Sequence, residues 1–237
     1  RLGSYVNVYD TSGTLTGLLA NTNYDVYVSP NCVVGVAGSM LLTFRTACGA
    51  IDSLPYFENF EGYPVGSNSI APPDCGVPCY HRLDNASQYH FGYIGNPSSF
   101  PTGAHSGTGF LYYYMPTTAG TYADWIITVL PPVNTALHPV NTLQLSFWAK
   151  MNAASTSGDI VVGVMSDPLA DSTFVPVDTV HVAGNVYSMK QAYLDRYAGA
   201  GAYIALRYTR DAGTATYYFV DDILLETIPA CPVVSDI

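Results

Sequence analysis

The stretch from Tyr217 to Glu226 reads Tyr-Tyr-Phe-Val-Asp-Asp-Ile-Leu-Leu-Glu, ten residues that are mostly apolar or aromatic. Such a run suits a strand covered on both faces better than one half in water. Two adjacent carboxylates, Asp221 and Asp222, interrupt it. Strand neighbours point to opposite faces, so at least one of the two is expected to face packed protein. A buried carboxylate must be hydrogen-bonded, paired or bound to a metal. The partner segment expected for it lies far upstream, in Phe57-Glu58-Asn59-Phe60-Glu61-Gly62.

The rest of the chain must build the packing around that strand. Of 237 residues, 49% are apolar, enough for a sizeable core in one large β domain or two smaller ones. Only 11% are charged, against roughly 25% in average soluble domains. Lys plus Arg number 8 and Asp plus Glu 18, a net charge of -10. The sequence has no basic cluster, which argues against nucleic acid and anionic membrane as partners. An acidic surface suits cation binding or simple solubility. No apolar run approaches the roughly 20 residues of a membrane helix, so no membrane span is expected. Arg1 opens neither on Met nor on a signal peptide, so an excerpt of something longer or a processed product is expected. Tyr, at 20 residues, and Thr favour strands. No amphipathic helical pattern extends beyond about two turns.

Strand-like runs with Gly- and Pro-rich turns between them recur from Tyr56 to Glu226, pointing to an all-β sandwich or jelly roll. The first 48 residues are different. Leu18-Leu19-Ala20-Asn21-Thr22-Asn23-Tyr24, with Thr43-Phe44-Arg45-Thr46 at its close, resembles the C-terminal half of a fibronectin type III domain. Tyr24 stands at the tyrosine-corner position. A half sandwich leaves its inner face uncovered, so this part is expected to be poorly ordered or ordered only by docking.

Five cysteines, Cys32, Cys48, Cys75, Cys79 and Cys231, make an odd count. Cys32 and Cys48 fall at opposite ends of a hairpin strand, roughly 25 Å apart, whereas a disulfide needs Cα atoms within about 7 Å. The module junctions at Ala47-Cys48 and Ala230-Cys231 suggest that Cys32 and Cys231 pair outside this sequence. Cys75–Cys79 closing a small loop, one of them tied to Cys48, or free buried thiols remain open. Cys-x3-Cys alone is a poor zinc signature, and disulfides would mean an oxidising, extracellular setting.

Pro55-Tyr56-Phe57-Glu58-Asn59-Phe60-Glu61-Gly62 resembles the opening of the choice-of-anchor J and cleaved-adhesin jelly rolls, which are similar to MAM domains. Cys79-Tyr80-His81-Arg82-Leu83, His105-Ser106-Gly107, Leu143-Gln144-Leu145-Ser146-Phe147-Trp148, Tyr203-Ile204-Ala205-Leu206-Arg207-Tyr208 and Phe219-Val220-Asp221-Asp222-Ile223 follow in the order of that family. Tyr80 replaces a Trp, and Gly76–Cys79 looks inserted. The resemblance implies an all-β fold: a jelly-roll β-sandwich over 49–230, a partial fibronectin type III sandwich over 1–48, and the start of a following module at 231–237. It also implies a bacterial protein, secreted or displayed on the outer cell surface.

By the same resemblance, Glu61 with Asp221 and Asp222 is expected to hold a structural Ca2+, helped by a carbonyl of Ser106-Gly107. Calcium takes about 6–8 hard oxygens. The competing reading has these acids capping turns or pairing with Arg207 or Arg210. Tyr112 and Tyr114 share one face of a strand and could stack on a sugar ring, or serve as packing. Trp125 and Trp148 read as core. The sequence holds no Gly-x-Ser-x-Gly, His-Glu-x-x-His or phosphate loop, and Glu58 and Glu61, on opposite faces of a strand, do not make a glycosidase pair. The expected role is a non-catalytic binding or adhesion module whose partner is an extracellular glycan or protein. The alternatives are an architectural spacer and an accessory module of a secreted hydrolase.

Overall fold

A computed structural model describes residues 12–29, 38–117, 121–210 and 215–229. The chain divides into two compact units, Arg1–Gly49 and Ala50–Ile237. Cys32, Cys231 and the segment 231–237 lie outside the described residues.

In the first unit, β1 (Asn23–Val28) and β2 (Met40–Arg45) form an antiparallel pair with Tyr24 opposite Phe44. Their rings stack at 6.0 Å. The Leu19 amide donates to the Tyr24 hydroxyl at 2.8 Å, the bond back to upstream backbone that defines a tyrosine corner. Met40, Leu41, Leu42 and Phe44 are exposed.

The second unit is a jelly-roll β-sandwich. Its strands are β3 (Tyr56–Glu58), β4 (His81–Asp84), β5 (Tyr93–Ile94), β6 (Leu111–Met115), β7 (Trp125–Val129), β8 (Leu143–Met151), β9 (Ser157–Met165), β10 (Val175–Ala183), β11 (Ser188–Tyr193), β12 (Tyr203–Thr209) and β13 (Thr216–Thr227). One sheet runs β10-β9-β12-β7-β4. The other runs β11-β8-β13-β6-β5, with β3 also on β13. Because β8 takes one edge of β13, β6 and β3 must share the other, end to end. The long run that opened the sequence analysis is thus the central strand of its sheet, buried along most of its length.

The inward residues alternate as a strand period requires. Leu143, Leu145, Phe147 and Ala149 of β8 meet Ile160, Val162 and Val164 of β9 and Ile204, Leu206 and Tyr208 of β12 in one core. Tyrosine fills much of it. Tyr113 stacks on Tyr208 at 3.8 Å, and Tyr208 meets Tyr218 at 5.4 Å. A buried phenol needs a hydrogen-bond partner. Tyr113 finds one in the Thr128 hydroxyl at 2.8 Å, and Tyr218 donates to the Asp159 carbonyl at 3.2 Å.

The two faces of this sheet make opposite stability predictions. Phe147→Ala empties a fully buried site and is expected to lower the unfolding free energy by about 3–5 kcal/mol. Phe57→Ala removes a ring that is 56% exposed and is expected to change it by less than about 0.5 kcal/mol. Urea unfolding measures both; equal losses would refute this assignment of faces.

Candidate functional site

The two central carboxylates do not point to opposite faces, because β13 is bulged there. Asp221 sits opposite Trp148 and Leu224 opposite Ser146, so two residues, Asp222 and Ile223, lie against one, Phe147. The extra residue is absorbed by Asp222 at φ 49°, a left-handed conformation that Asp tolerates better than most residues. Both carboxylates consequently reach the same loop. Asp221 Oδ2 accepts the amides of His105 (2.8 Å) and Ser106 (3.1 Å), and its Oδ1 accepts the amide of Asp222 (2.8 Å). Asp222 Oδ2 lies 2.7 Å from His105 Nδ1, and its Oδ1 accepts the Ser106 hydroxyl at 2.8 Å. The strict alternation expected from sequence is corrected by this bulge.

Glu61 grips the other end of the same loop. It accepts the amides of Thr108 (2.7 Å) and Gly109 (2.6 Å) and the Thr108 hydroxyl (3.1 Å). Gly107, at φ +54°, is required: a Cβ there would lie 2.3 Å from a Glu61 carboxylate oxygen. Phe60 turns inward at φ 59°, its amide donating to Glu58 at 2.7 Å. The loop 105–109 thus occupies the gap between β3 and β6 along β13. It is pinned from above as well. The His105 ring stacks on Trp148 at 3.8 Å with planes 11° apart, and Tyr187 meets it edge-on at 5.4 Å. Tyr187 donates to the Gly103 carbonyl and Lys150 to the Thr102 carbonyl.

Burial raises the Asp221 carboxyl to about 6; its amide donors oppose that, and neighbouring Asp222 adds to it. Glu61 moves the other way, lowered by the Gly109 and then the Thr108 amide. Neither arginine neutralises these acids: Arg210 pairs with Asp124, and Arg207 lies over Trp125 at 5.4 Å and Phe174 at 5.9 Å. Among the described residues no Lys or Arg is ion-paired with Glu61, Asp221 or Asp222. Three carboxylates, a hydroxyl and backbone carbonyls fit a hard cation in donor type and in unbalanced charge. They do not gather at one point, however: among the described residues no group of three or more His, Cys, Asp or Glu side chains could hold a metal ion. A cation here would be held by Asp221 and Asp222 with oxygens of the loop, and Glu61 would brace the loop from its far side.

The same bonds bear on catalysis. His105, Ser106 and Asp222 do come together, but the serine hydroxyl bonds the carboxylate, not the imidazole. A nucleophilic serine needs the base on its own hydroxyl. This trio is a loop clamp. Glu58 is likewise spent, on the Phe60 amide and the Tyr63 hydroxyl.

Beside the clamp, the outer face of the sheet is open. Phe57, Ser146, Trp148, Met189, Asp222 and Leu224 enclose a hollow of ≈ 230 Å³. Phe57 and Met189 are 56% and 58% exposed. Trp148, read from sequence as core, is only half-buried, as is Trp125. The alternation of β8 already placed Trp148 opposite Phe147; its apolar character outweighed that signal in the reading.

Tyr112 and Tyr114 share a face, as their spacing requires, but that end of the sheet is roofed. Tyr112 is 6% exposed, its ring packed against Phe91, Phe100 and Phe219. Tyr114 is half-buried and stacks on Tyr217 at 4.4 Å. The open stacking platform expected at these residues is replaced by a packed aromatic layer, with Tyr112 lining a second hollow of ≈ 300 Å³. Cys48 and Cys79 are disulfide-bonded. Cys75 is a free thiol, buried and raised to about 11 by that burial, so a Cys75–Cys79 loop does not form.

The fold and its site together define a jelly-roll β-sandwich with a clamped loop on its closing strand. Among solved structures, the K2 cleaved adhesin domain of Lys-gingipain superposes with TM-score 0.54 at 12% identity, covering 73% of this chain and 99% of that one. The K1 cleaved adhesin domain of Lys-gingipain from Porphyromonas gingivalis W83 does so with TM-score 0.54 at 15% identity, covering 74% and 99%. At such identities the likeness concerns the fold. No family model and no curated protein matches the chain.

The clamp predicts a pH signature. Asp221, near 4 when unfolded and about 6 when folded, binds its proton more tightly in the native state. Its contribution to stability therefore falls as pH rises from about 4 to about 6 and is flat above. Glu61, shifted downward, loses its contribution as pH falls below that window. Urea titrations of chelator-treated protein should show the decline between pH 4 and 6, and Asp221→Asn should remove it. A decline of unchanged size in the variant would show that Asp221 is not its source.

Proposed function

We propose that this chain is a non-catalytic binding module of a longer secreted or surface-displayed bacterial protein, and that its open outer sheet face holds an extracellular glycan or protein. The observation that carries the proposal is the hollow around Trp148. Single exposed apolar residues are ordinary, whereas Phe57, Met189 and Leu224 grouped about a partly exposed Trp form a contiguous apolar patch, with the buried Asp222 and Ser146 in its lining. Tryptophan in such a setting is the residue type that dominates binding energy. Two disulfide-bonded cysteines support an oxidising compartment. Among the described residues no helix is long and apolar enough to cross a membrane. The fold shared with cleaved adhesin domains supports the reading by analogy.

The test is a glycan array and a panel of matrix proteins, probed with wild type and with Phe57→Ser/Met189→Ser. The expected result is at least one bound ligand whose affinity drops tenfold or more in the variant while the melting temperature is unchanged. No binding by wild type would leave the domain a spacer.

We further propose that Ca2+ stabilises the 105–109 loop through Asp221 and Asp222. The adjacent carboxylates of Asp221 and Asp222, with no Lys or Arg ion-paired to either among the described residues, support this. Thermal melts with excess Ca2+ and with EGTA are expected to differ by about 5–10 °C, the effect of saturating a site that exists only in the folded state. Superimposable melts would count against a cation.

A further inference from the structure

The second hollow, that of ≈ 300 Å³ under the roofed end of the sheet, has a different character from the first. Its lining includes Asn68, Asn96, Ser67 and Ser99 around the rings of Tyr93 and Tyr112, and none of its lining residues carries a charge. Both walls are preformed. One wall is the segment 65–70, tied to the sheet by Gly66 N–H to the Ile94 carbonyl (2.9 Å) and by His90 N–H to the Asn68 carbonyl (2.8 Å). Gly66 lies so close that a Cβ would fall 2.5 Å from the Cβ of Tyr93. The other wall is the turn from Asn96. Asn96 Oδ1 accepts the Ser98 amide at 2.9 Å, while its carbonyl accepts the amides of Ser99 (3.0 Å) and Phe100 (2.9 Å). Tyr112 forms the floor, its ring held 4.6 Å from that of Phe100.

Within this frame several polar groups are left over. Among the described residues, the Asn68 amide and the hydroxyls of Ser99, Tyr93 and Tyr112 make no hydrogen bond to protein. An amide offers two donors and an acceptor, and each hydroxyl offers both. That mixture matches a ligand whose own groups both donate and accept. A charged ligand would want an opposite charge that the lining does not provide. Preformed walls mean that little ordering entropy opposes binding, and the size lies at the small end of ligand sites.

We infer that this hollow is a binding site for a neutral sugar residue, held by Asn68, Ser99, Tyr93 and Tyr112. The inference deepens the binding-module reading and rests on it, but uses a different surface from the open face around Trp148. It gives Tyr112 a role as the floor of a hollow open to solvent instead of an exposed platform.

Saturation-transfer NMR with the methyl glycosides of glucose, galactose, mannose and N-acetylglucosamine tests it, with glucuronic acid and N-acetylneuraminic acid as charged comparators. Transfer to at least one neutral glycoside and to neither acid is expected. Asn68→Ala/Ser99→Ala, two loop changes outside the core, is expected to weaken that binding at least tenfold with no change in melting temperature. Tyr112→Phe, which keeps the ring and removes the hydroxyl, is expected to weaken it severalfold. The inference is overturned if no neutral glycoside binds, if an acidic sugar binds better, or if the Asn68/Ser99 variant binds as wild type does. Should Phe57→Ser/Met189→Ser abolish sugar binding while the Asn68/Ser99 variant retains it, the sugar sits on the open face; this inference then falls and the binding-module reading stands.

Discussion

One short loop, 105–109, is what the closing strand of the sandwich is built to hold. The sheet has a defect by construction, since β3 and β6 lie end to end along one edge of β13 and cannot cover it completely. At the junction the backbone of β13 would otherwise run out of partners inside a packed region. The bulge answers this by turning both Asp221 and Asp222 onto one side, and Glu61 closes the gap from the end of the opening segment. Amide and hydroxyl donors of the loop meet these carboxylate oxygens, and the Asp222 amide of β13 is itself taken up by the Asp221 carboxylate. Such charge-assisted bonds are shorter and stronger than neutral ones. The loop in turn places His105 against Trp148, which props the indole half out of the sheet and gives the adjoining hollow its wall.

The architecture was largely readable because it rests on periodicity. The alternation in Leu143–Met151 gave the right inward residues, and the dense apolar run at Tyr217 identified the central strand. What sequence reasoning could not supply was any departure from period two. Nothing in Asp221-Asp222 announces a bulge; a left-handed aspartate is visible only through the register of β8 opposite. Glu61, Asp221 and Asp222 hold one loop from two ends without gathering at one point, and most of their partners are backbone amides, which leave no trace in composition. The contacts of His105 and Ser106 with Asp222 reach across 117 and 116 positions of sequence.

Burial was harder still. Tyr112 and Tyr114 were assigned to one face, as they are, but whether that face meets water depends on the roofing segments 65–70 and 96–103, whose small polar residues read simply as loops. The reverse holds for Phe57, which is 56% exposed, and for Trp148, which keeps part of its ring in water although His105 stacks on it. In a sandwich whose outer faces are partly covered by long connections, strand pattern decides which side a residue takes and the loops decide whether that side is interior.

The antiparallel pairing of β3 with β13 also governs how the module would carry tension. Tyr56 lies opposite Leu225 and Glu58 opposite Ile223, so the chain enters and leaves the sandwich at the same end of this seam. A pull through both flanking segments would not shear the two strands past each other. It would unzip them rung by rung, beginning at Tyr56 and Leu225 and travelling toward the carboxylates. The clamp stands where that tear would arrive, at the far end of the seam from Tyr56.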